Sequence, residues 1–286
     1  MRVLPVLMAA ALVLLAACGA SPSGQSSGAQ ANRHPSSTTK SAAKSTTAAS
    51  SSSSAGKSST AASTTKGGAS STKTTVDVTC VAGKAGTREL VDAAQEPAAG
   101  VASPKSPCWN MIAPTPLLQT VMGKLPSGAS AAFKVAWSGQ DLYVWADVQH
   151  WPMYCAKGAQ WYNCDAIEIY LGPNDQKAQY GPDDRQLGVL GSTGAFETGT
   201  NGSGVTNAKT AAVIVKNKGY LAQLALPLSD IGVKAASGSL VGFSIAADMP
   251  MQLNASQGKN TVAQMMWAGD ANNYQSAAHW GGILLQ

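Results

Sequence analysis

After Val76 the chain is dominated by short runs in which apolar and polar residues alternate. Ala131 to Trp137 reads Ala-Ala-Phe-Lys-Val-Ala-Trp, Ser138-Gly139-Gln140 has turn chemistry, and Asp141 to Gln149 alternates again. In this second run Leu142, Val144, Ala146 and Val148 share one face, with Tyr143, Trp145 and Asp147 on the other. Successive side chains of a strand point to opposite sides, so the two runs predict a β-hairpin. Further strands are predicted at Ala166–Leu171, Gln186–Leu190, Ala211–Lys216, Tyr220–Leu226, Leu240–Ala247, Gln264–Ala268 and Ile283–Leu285. Only Glu89–Ala94 reads as a short helix. Short strands punctuated by turns predict an all-β fold, a sandwich or a barrel, of which an antiparallel β-sandwich is the expectation, and the lack of crossover helices argues against a parallel α/β architecture.

The alternation vanishes before Val76, where Ser, Thr, Ala, Gly and Lys follow an apolar leader. All seven Trp, all seven Tyr and all three Phe lie after position 100. Such a segment cannot bury enough apolar area to offset the entropy of ordering it, so residues 18–75 read as a disordered tether. Its reach is roughly 40 Å as a flexible coil. Residues 1–17, Arg2 followed by an apolar run, have the form of an export signal too short to span a bilayer comfortably. Its end, Leu15-Ala16-Ala17-Cys18-Gly19, resembles the bacterial lipobox, which implies an acylated Cys18 and an exported protein anchored to the cell envelope with its domain outside the cytoplasm. Residues 76–286 form the single folded domain on this reading.

Charge divides at the same boundary. All 15 acidic residues follow Val76, with 13 of the 20 basic ones, so the formal +5 of the whole chain belongs to the leader and tether. A weakly acidic domain is a poor phosphate binder, which argues against a nucleic-acid partner. The membrane is contacted through the lipid anchor alone.

Five cysteines is an odd number, and lipidation of Cys18 leaves Cys80, Cys108, Cys155 and Cys164 as an even set for an oxidising compartment. Four cysteines allow three pairings. Local closure costs least entropy and favours Cys155–Cys164 with Cys80–Cys108. Their spacings do not match the paired short spacings of zinc motifs.

The order of several segments carries a family resemblance. Trp109-Asn110-Met111-Ile112-Ala113 precedes the hairpin Ala136-Trp137-Ser138-Gly139-Gln140-Asp141-Leu142-Tyr143-Val144. Asp165-Ala166-Ile167-Glu168-Ile169-Tyr170-Leu171 follows, then Gly219-Tyr220-Leu221 through Leu228, Val241-Gly242-Phe243-Ser244-Ile245, Trp267 and Trp280-Gly281-Gly282-Ile283-Leu284. This succession resembles the family 9 carbohydrate-binding modules and their DOMON-like relatives over about residues 105–286. The resemblance implies a clamp of two aromatic rings around a sugar, with a carboxylate and amides at its rim. Aromatic faces cover the C–H patches of a sugar ring and planar polar groups catch its hydroxyls. The positions that match are Tyr162, six residues before Glu168, with Trp161 beside it, and Tyr274 after Asn272 and Asn273. Glu168 matches the rim carboxylate, and Gln186 a polar position on the next strand. The family's basic residue falls on Gly188, and a carboxylate found after the Leu-Tyr-Val strand falls on His150. A Cys155–Cys164 bridge reshapes the loop that carries Trp161 and Tyr162.

Glu168 alternates with Ile167 and Ile169 and so faces away from them. Trp109, Trp137, Trp145 and Trp267 read as packing residues, whereas Trp151, Trp161 and Tyr162 belong to a loop rich in aromatics. Asp165 reads as a strand cap or, with Asp183 and Asp184, as a ligand of structural calcium; Asp183-Asp184 also suits a plain turn. Asp165 and Glu168 point to opposite faces, which argues against a glycosidase pair. With no Gly-x-Ser-x-Gly elbow either, a non-catalytic protein is expected, one that captures a saccharide or polysaccharide and assists separately encoded glycoside hydrolases. One rival is a haem-holding redox domain drawing on His150, His279, Met153, Met249 or Met251, but no spacing identifies an axial pair. The other is a scaffold without a ligand.

Overall fold

The period-two segments fold as strands in the computed structural model, which describes residues 78–84, 90–155, 158–173, 179–252 and 260–286. The expected signal peptide 1–17, the expected acylation site Cys18 and the expected tether to residue 75 lie outside the described residues. In chain order the first elements are β1 (Leu90–Gln95), α1 (Ala98–Val101), β2 (Thr115–Pro116), β3 (Gln119–Met122), β4 (Ser130–Ser138) and β5 (Asp141–Gln149). Next come β6 (Ala166–Gly172), β7 (Arg185–Leu190), β8 (Phe196–Thr198), β9 (Lys209–Val215) and β10 (Gly219–Pro227). The last are β11 (Leu240–Gln252), β12 (Asn260–Met266) and β13 (Gly281–Leu285).

β4 and β5 form the hairpin, with Val135 opposite Val144 and Ser138 opposite Asp141. Gly139 closes its two-residue turn at φ 60°, a left-handed conformation that glycine adopts without strain. β10 and β9 extend this layer antiparallel beyond β5, and β2 pairs with the start of β4. The second layer runs β8-β7-β6-β11-β13, again antiparallel. β11 is long enough to hold β6 along one edge while sharing the other between β13 and β12, and β3 pairs with β12.

One expectation is corrected. Glu89–Ala94 was read as a short helix, yet Leu90–Gln95 is β1. Leu90 to Ala93 pair in parallel with Gly282 to Leu285 of β13, and Ala94 and Gln95 in parallel with Ala136 and Trp137 of β4. Those distant strands satisfy the backbone of β1, which its Ala-rich sequence does not foretell. The sandwich is therefore antiparallel except at β1, the one strand shared by both layers.

The core lies between the layers. Ile167 and Ile169 of β6, Phe243 and Ile245 of β11, Val144 of β5 and Leu224 of β10 are almost fully buried in it. Phe133, Phe243 and Trp267 form an aromatic triangle with centroids 5.2–5.7 Å apart. Burying such a side chain stabilises the fold by about 1.5–3 kcal/mol. A smaller cluster on the outer face of β4 and β5, including Trp109 and Trp145, is pinned by the Cys80–Cys108 disulfide. The second bridge, Cys155–Cys164, closes the loop before β6. Both pairings are those favoured by local closure.

Candidate functional site

Because Ile167 and Ile169 fill the core, Glu168 and Tyr170 must project from the other face of β6. Glu168 lies between Gly188 of β7 and Ala246 of β11. The same phase places Gln186 on β7, and Ser244 and Asp248 on β11, on this outer face. It is covered rather than open. Glu168 is 4% exposed and Asp248 0%. The sequence set Glu168 at an accessible rim; it stands in the floor.

The floor is a buried polar network in which Asp248 Oδ2 alone among the carboxyl oxygens of Glu168 and Asp248 is buried without a hydrogen-bond partner. Tyr170 donates its hydroxyl to Glu168, and Gln186 donates Nε2 to Glu168 Oε2 at 3.4 Å. The Thr200 amide donates to Gln186 Oε1 at 3.0 Å, and Gln264 donates Nε2 to Asp248 Oδ1 at 2.8 Å. Glu168 and Asp248 stand on neighbouring strands on this same buried face, and each carboxyl perturbs the other. Burial first, and then the neighbouring Glu168 charge, push the Asp248 carboxyl well above the ordinary aspartate value. Burial also raises Glu168, against the donation from Tyr170. Two carboxyl groups so close and so dry cannot both ionise easily, so the pair keeps a proton to higher pH than a solvated carboxylate does.

A short 3₁₀ turn, Trp161–Asn163, packs across β6, β7 and β11 over this floor. Its Trp161 ring occupies the space above Gly188: a Cβ there would come within 2.6 Å of Cε3 and Cζ3. The position where the family resemblance calls for a basic residue is thus taken by an indole. Tyr162 meets Trp161 edge-to-face at 5.7 Å and remains 45% exposed. The adjacent Cys155–Cys164 bridge ties this turn to the preceding loop.

The remaining cover comes from the chain after β12. Trp280 packs against Tyr170 at 5.9 Å and Tyr180 at 5.5 Å, and Tyr274 is half-buried against the same cluster. Asn273 is a brace, 1% exposed: its Nδ2 donates to Ser244 Oγ at 3.1 Å and to the Ala268 carbonyl at 3.0 Å. Asn272 is exposed, and its backbone amide donates to Asp270 at 2.7 Å. The fold therefore brings Trp161, Glu168, Gln186 and the Tyr274 cluster onto one face. Within that set, Tyr162 and Asn272 are the side chains most open to solvent. Sequence reading missed Asp248, Tyr170, Gln264 and Trp280. Asp248 was discoverable, since it continues the outward phase of Ser244 past the predicted end of the strand.

The three aspartates considered for calcium are each engaged separately. Asp165 accepts the Tyr154 amide at 2.5 Å and contacts His150 Nδ1 at 2.5 Å. Asp184 accepts the Gly181 amide at 2.6 Å, while exposed Asp183 stands 3.5 Å from Arg185 beside a turn. Among the described residues the only trio with metal-ligand proximity is Cys80, Glu96 and Cys108, whose two sulfurs are joined as a disulfide. Of the haem candidates, His150 is 6% exposed against Asp165, Met249 is buried in the core, and His279 is on the surface. Trp109, Trp137, Trp145 and Trp267 are all interior, whereas Trp151 is exposed.

A family model described as carbohydrate family 9 binding domain-like matches residues 103–286. The chain is 29% identical over 160 residues to the endo-1,4-beta-xylanase C of Paenibacillus barcinonensis, covering 56% of this chain and 14% of that protein. It is 26% identical over 180 residues to the endo-1,4-beta-xylanase A of Thermoanaerobacterium saccharolyticum, covering 62% of this chain and again 14% of that protein. Only about one seventh of each xylanase is thereby matched. Among solved structures, a family 9 carbohydrate-binding module from Caldicellulosiruptor kristjanssonii in complex with cellotriose superposes with TM-score 0.56 at 19% identity, over 69% of this chain and 94% of that one. A module of the same family and organism in complex with glucose gives TM-score 0.55 at 20% identity, over 69% and 96%. At these identities the structures share the fold.

Proposed function

Since the chain belongs to the carbohydrate family 9 binding domain-like family, we propose that it is a non-catalytic carbohydrate-binding module carried by an exported lipoprotein. The observation that carries this reading is the half-exposed Tyr162 ring, seated on Trp161 above the Glu168 network. An aromatic ring held by a packed neighbour offers a C–H-stacking face at little entropic cost. Asn272 offers an exposed amide beside Tyr274 for hydroxyl groups. Beneath them, Glu168, Asp248, Gln186 and Tyr170 fix the face on which the ligand rests and take no part in bond breaking. Their carboxyl groups are buried inside the protein, whereas glycoside hydrolysis requires two carboxyls facing across an accessible cleft.

Acylation at Cys18 anchors the module to the envelope, and the tether to residue 75 lets it search the space around its anchor. It holds glycan near the cell and supports breakdown by separate glycoside hydrolases. Retention of the full chain on insoluble cellulose and xylan, with titration of cellotriose, tests the ligand. Tyr162→Ala is expected to weaken retention at least severalfold with the thermal transition unchanged. Equal retention of wild type and variant would sink the sugar assignment at this face.

A further inference from the structure

The opposite outer face of the sandwich carries an open hollow of about 750 Å³ over β5, β10 and β9. Its floor is set by strand register: Tyr143, Ala225 and Lys209 lie abreast on the three strands, and Gln223 pairs with Ala211 in the next outward row. One wall is the α1 segment, presenting Ala98, Ala99 and Ala102. Methyl groups where larger side chains could stand leave the space unfilled.

The wall is fixed in place. Gln223 donates Nε2 to the Val101 carbonyl at 2.7 Å, and Trp145 donates Nε1 to the Pro104 carbonyl at 3.0 Å. Gln223 is 3% exposed, and its Oε1 has no hydrogen-bond partner. A buried acceptor left unpaired is unfavourable, and a small rotation of the Gln223 amide toward the hollow it borders would let a ligand hydroxyl donate to it. The Tyr143 phenol ring and the alanine methyls supply apolar surface. The lining also holds one acidic and one basic residue, Asp141 and Lys209, so its formal charges sum to zero.

We propose that this hollow is a second carbohydrate site, taking one ring of a neutral saccharide. Its volume lies within the range of small-ligand pockets. An unpaired acceptor, apolar walls and a rim of balanced charge match a ligand that has hydroxyls, C–H faces and no net charge. The site shares no residue with the Tyr162 face, so the two readings stand or fall separately.

Glucose, xylose and cellotriose are titrated into the isotope-labelled full chain and followed by two-dimensional NMR. The side-chain amide of Gln223 and the backbone amides of Thr210 and Ala225 are expected to shift saturably with at least one of the three sugars. The shifts persist in Tyr162→Ala and disappear in Ala225→Phe, which fills the floor; should that variant fail to fold, Ala211→Phe fills it from β9. Resonances that stay still with all three sugars overturn the proposal. So do shifts that survive in a folded, filled variant. Movement at Gln223 without movement around Tyr162 would sustain this site while removing the first.

Discussion

Gly188 and Trp161 should be coupled, and the sign of that coupling is fixed by geometry. A methyl group at residue 188 would sit 2.6 Å from two indole carbons and 3.0 Å from a third, Cη2, far inside van der Waals contact. The ring cannot simply lift, because its turn packs on three strands and is followed directly by the Cys155–Cys164 bridge. Gly188→Ala should therefore cost about 1–3 kcal/mol, the usual penalty of overpacking. Each kcal/mol lowers the Tm of a domain this size by roughly 2–4 °C. Trp161→Ala alone removes a 9%-exposed indole and should cost about 3–5 kcal/mol. Once the ring is gone the clash is gone, and alanine is the better strand residue, since glycine in a strand is destabilising by roughly 0.5–1 kcal/mol. Gly188→Ala should then stabilise the Trp161→Ala protein. Urea denaturation of the four proteins, followed by far-ultraviolet circular dichroism, yields the coupling from the midpoints. Effects additive to within about 0.5 kcal/mol would refute an indole packed on residue 188.

Three further outcomes are expected. Asp248→Asn keeps a hydrogen-bonding group beside Gln264 and Glu168 but holds no titrating proton. Because burial raises both carboxyls in the folded state, the pair's contribution to stability should be full below the ordinary carboxylate range and be lost as pH rises through the raised folded-state values. The variant should lose much of that decline, and denaturation midpoints that fall equally in both proteins would count against the buried pair. Replacing Cys80 and Cys108 by Ser opens a closure of 28 residues and should cost about 2–4 kcal/mol, read from the same midpoints; no change would mean that the bridge does not constrain the unfolded chain. Phe243→Ala breaks the aromatic triangle and should cost about 3–5 kcal/mol, whereas a loss below about 1 kcal/mol would place Phe243 outside the core.

The strands that could be read from the sequence are those whose pattern is their own. The β4–β5 hairpin, β6, β7, β9 and β10 lie within two residues of their predicted bounds, whereas β11 runs five residues past its predicted end and β12 starts four residues and ends two residues before the predicted Gln264–Ala268, because the two strands pair with each other along Ala246–Gln252. β2, β3 and β8 have two to four residues, too few to show a period. β1 carries no local signal because its partners arrive from residues 136–137 and 282–285. The same division runs through the site. Alternation gave the direction of Glu168, but its burial depends on Trp161 in a loop and on an aromatic group around Trp280, more than a hundred residues away. Asn273 resembled a ligand amide by position, and became a brace because Ser244 and Ala268 lie beneath it.

The parallel insertion of β1 between β13 and β4 makes the two ends of the domain mutually dependent. Gln286, just after β13, takes part: its amide donates to the Ala93 carbonyl at 2.9 Å, and Trp137 Nε1 donates to the Gln286 carbonyl at 3.1 Å. A chain still being synthesised has nothing against which to lay residues 90–93 until the last five-residue strand emerges. Closure must therefore wait for the whole domain, in the manner of slow, high-contact-order topologies. Losing β13 would strip a neighbour from β11 and from β1 together, uncovering on each the edge that β13 now pairs.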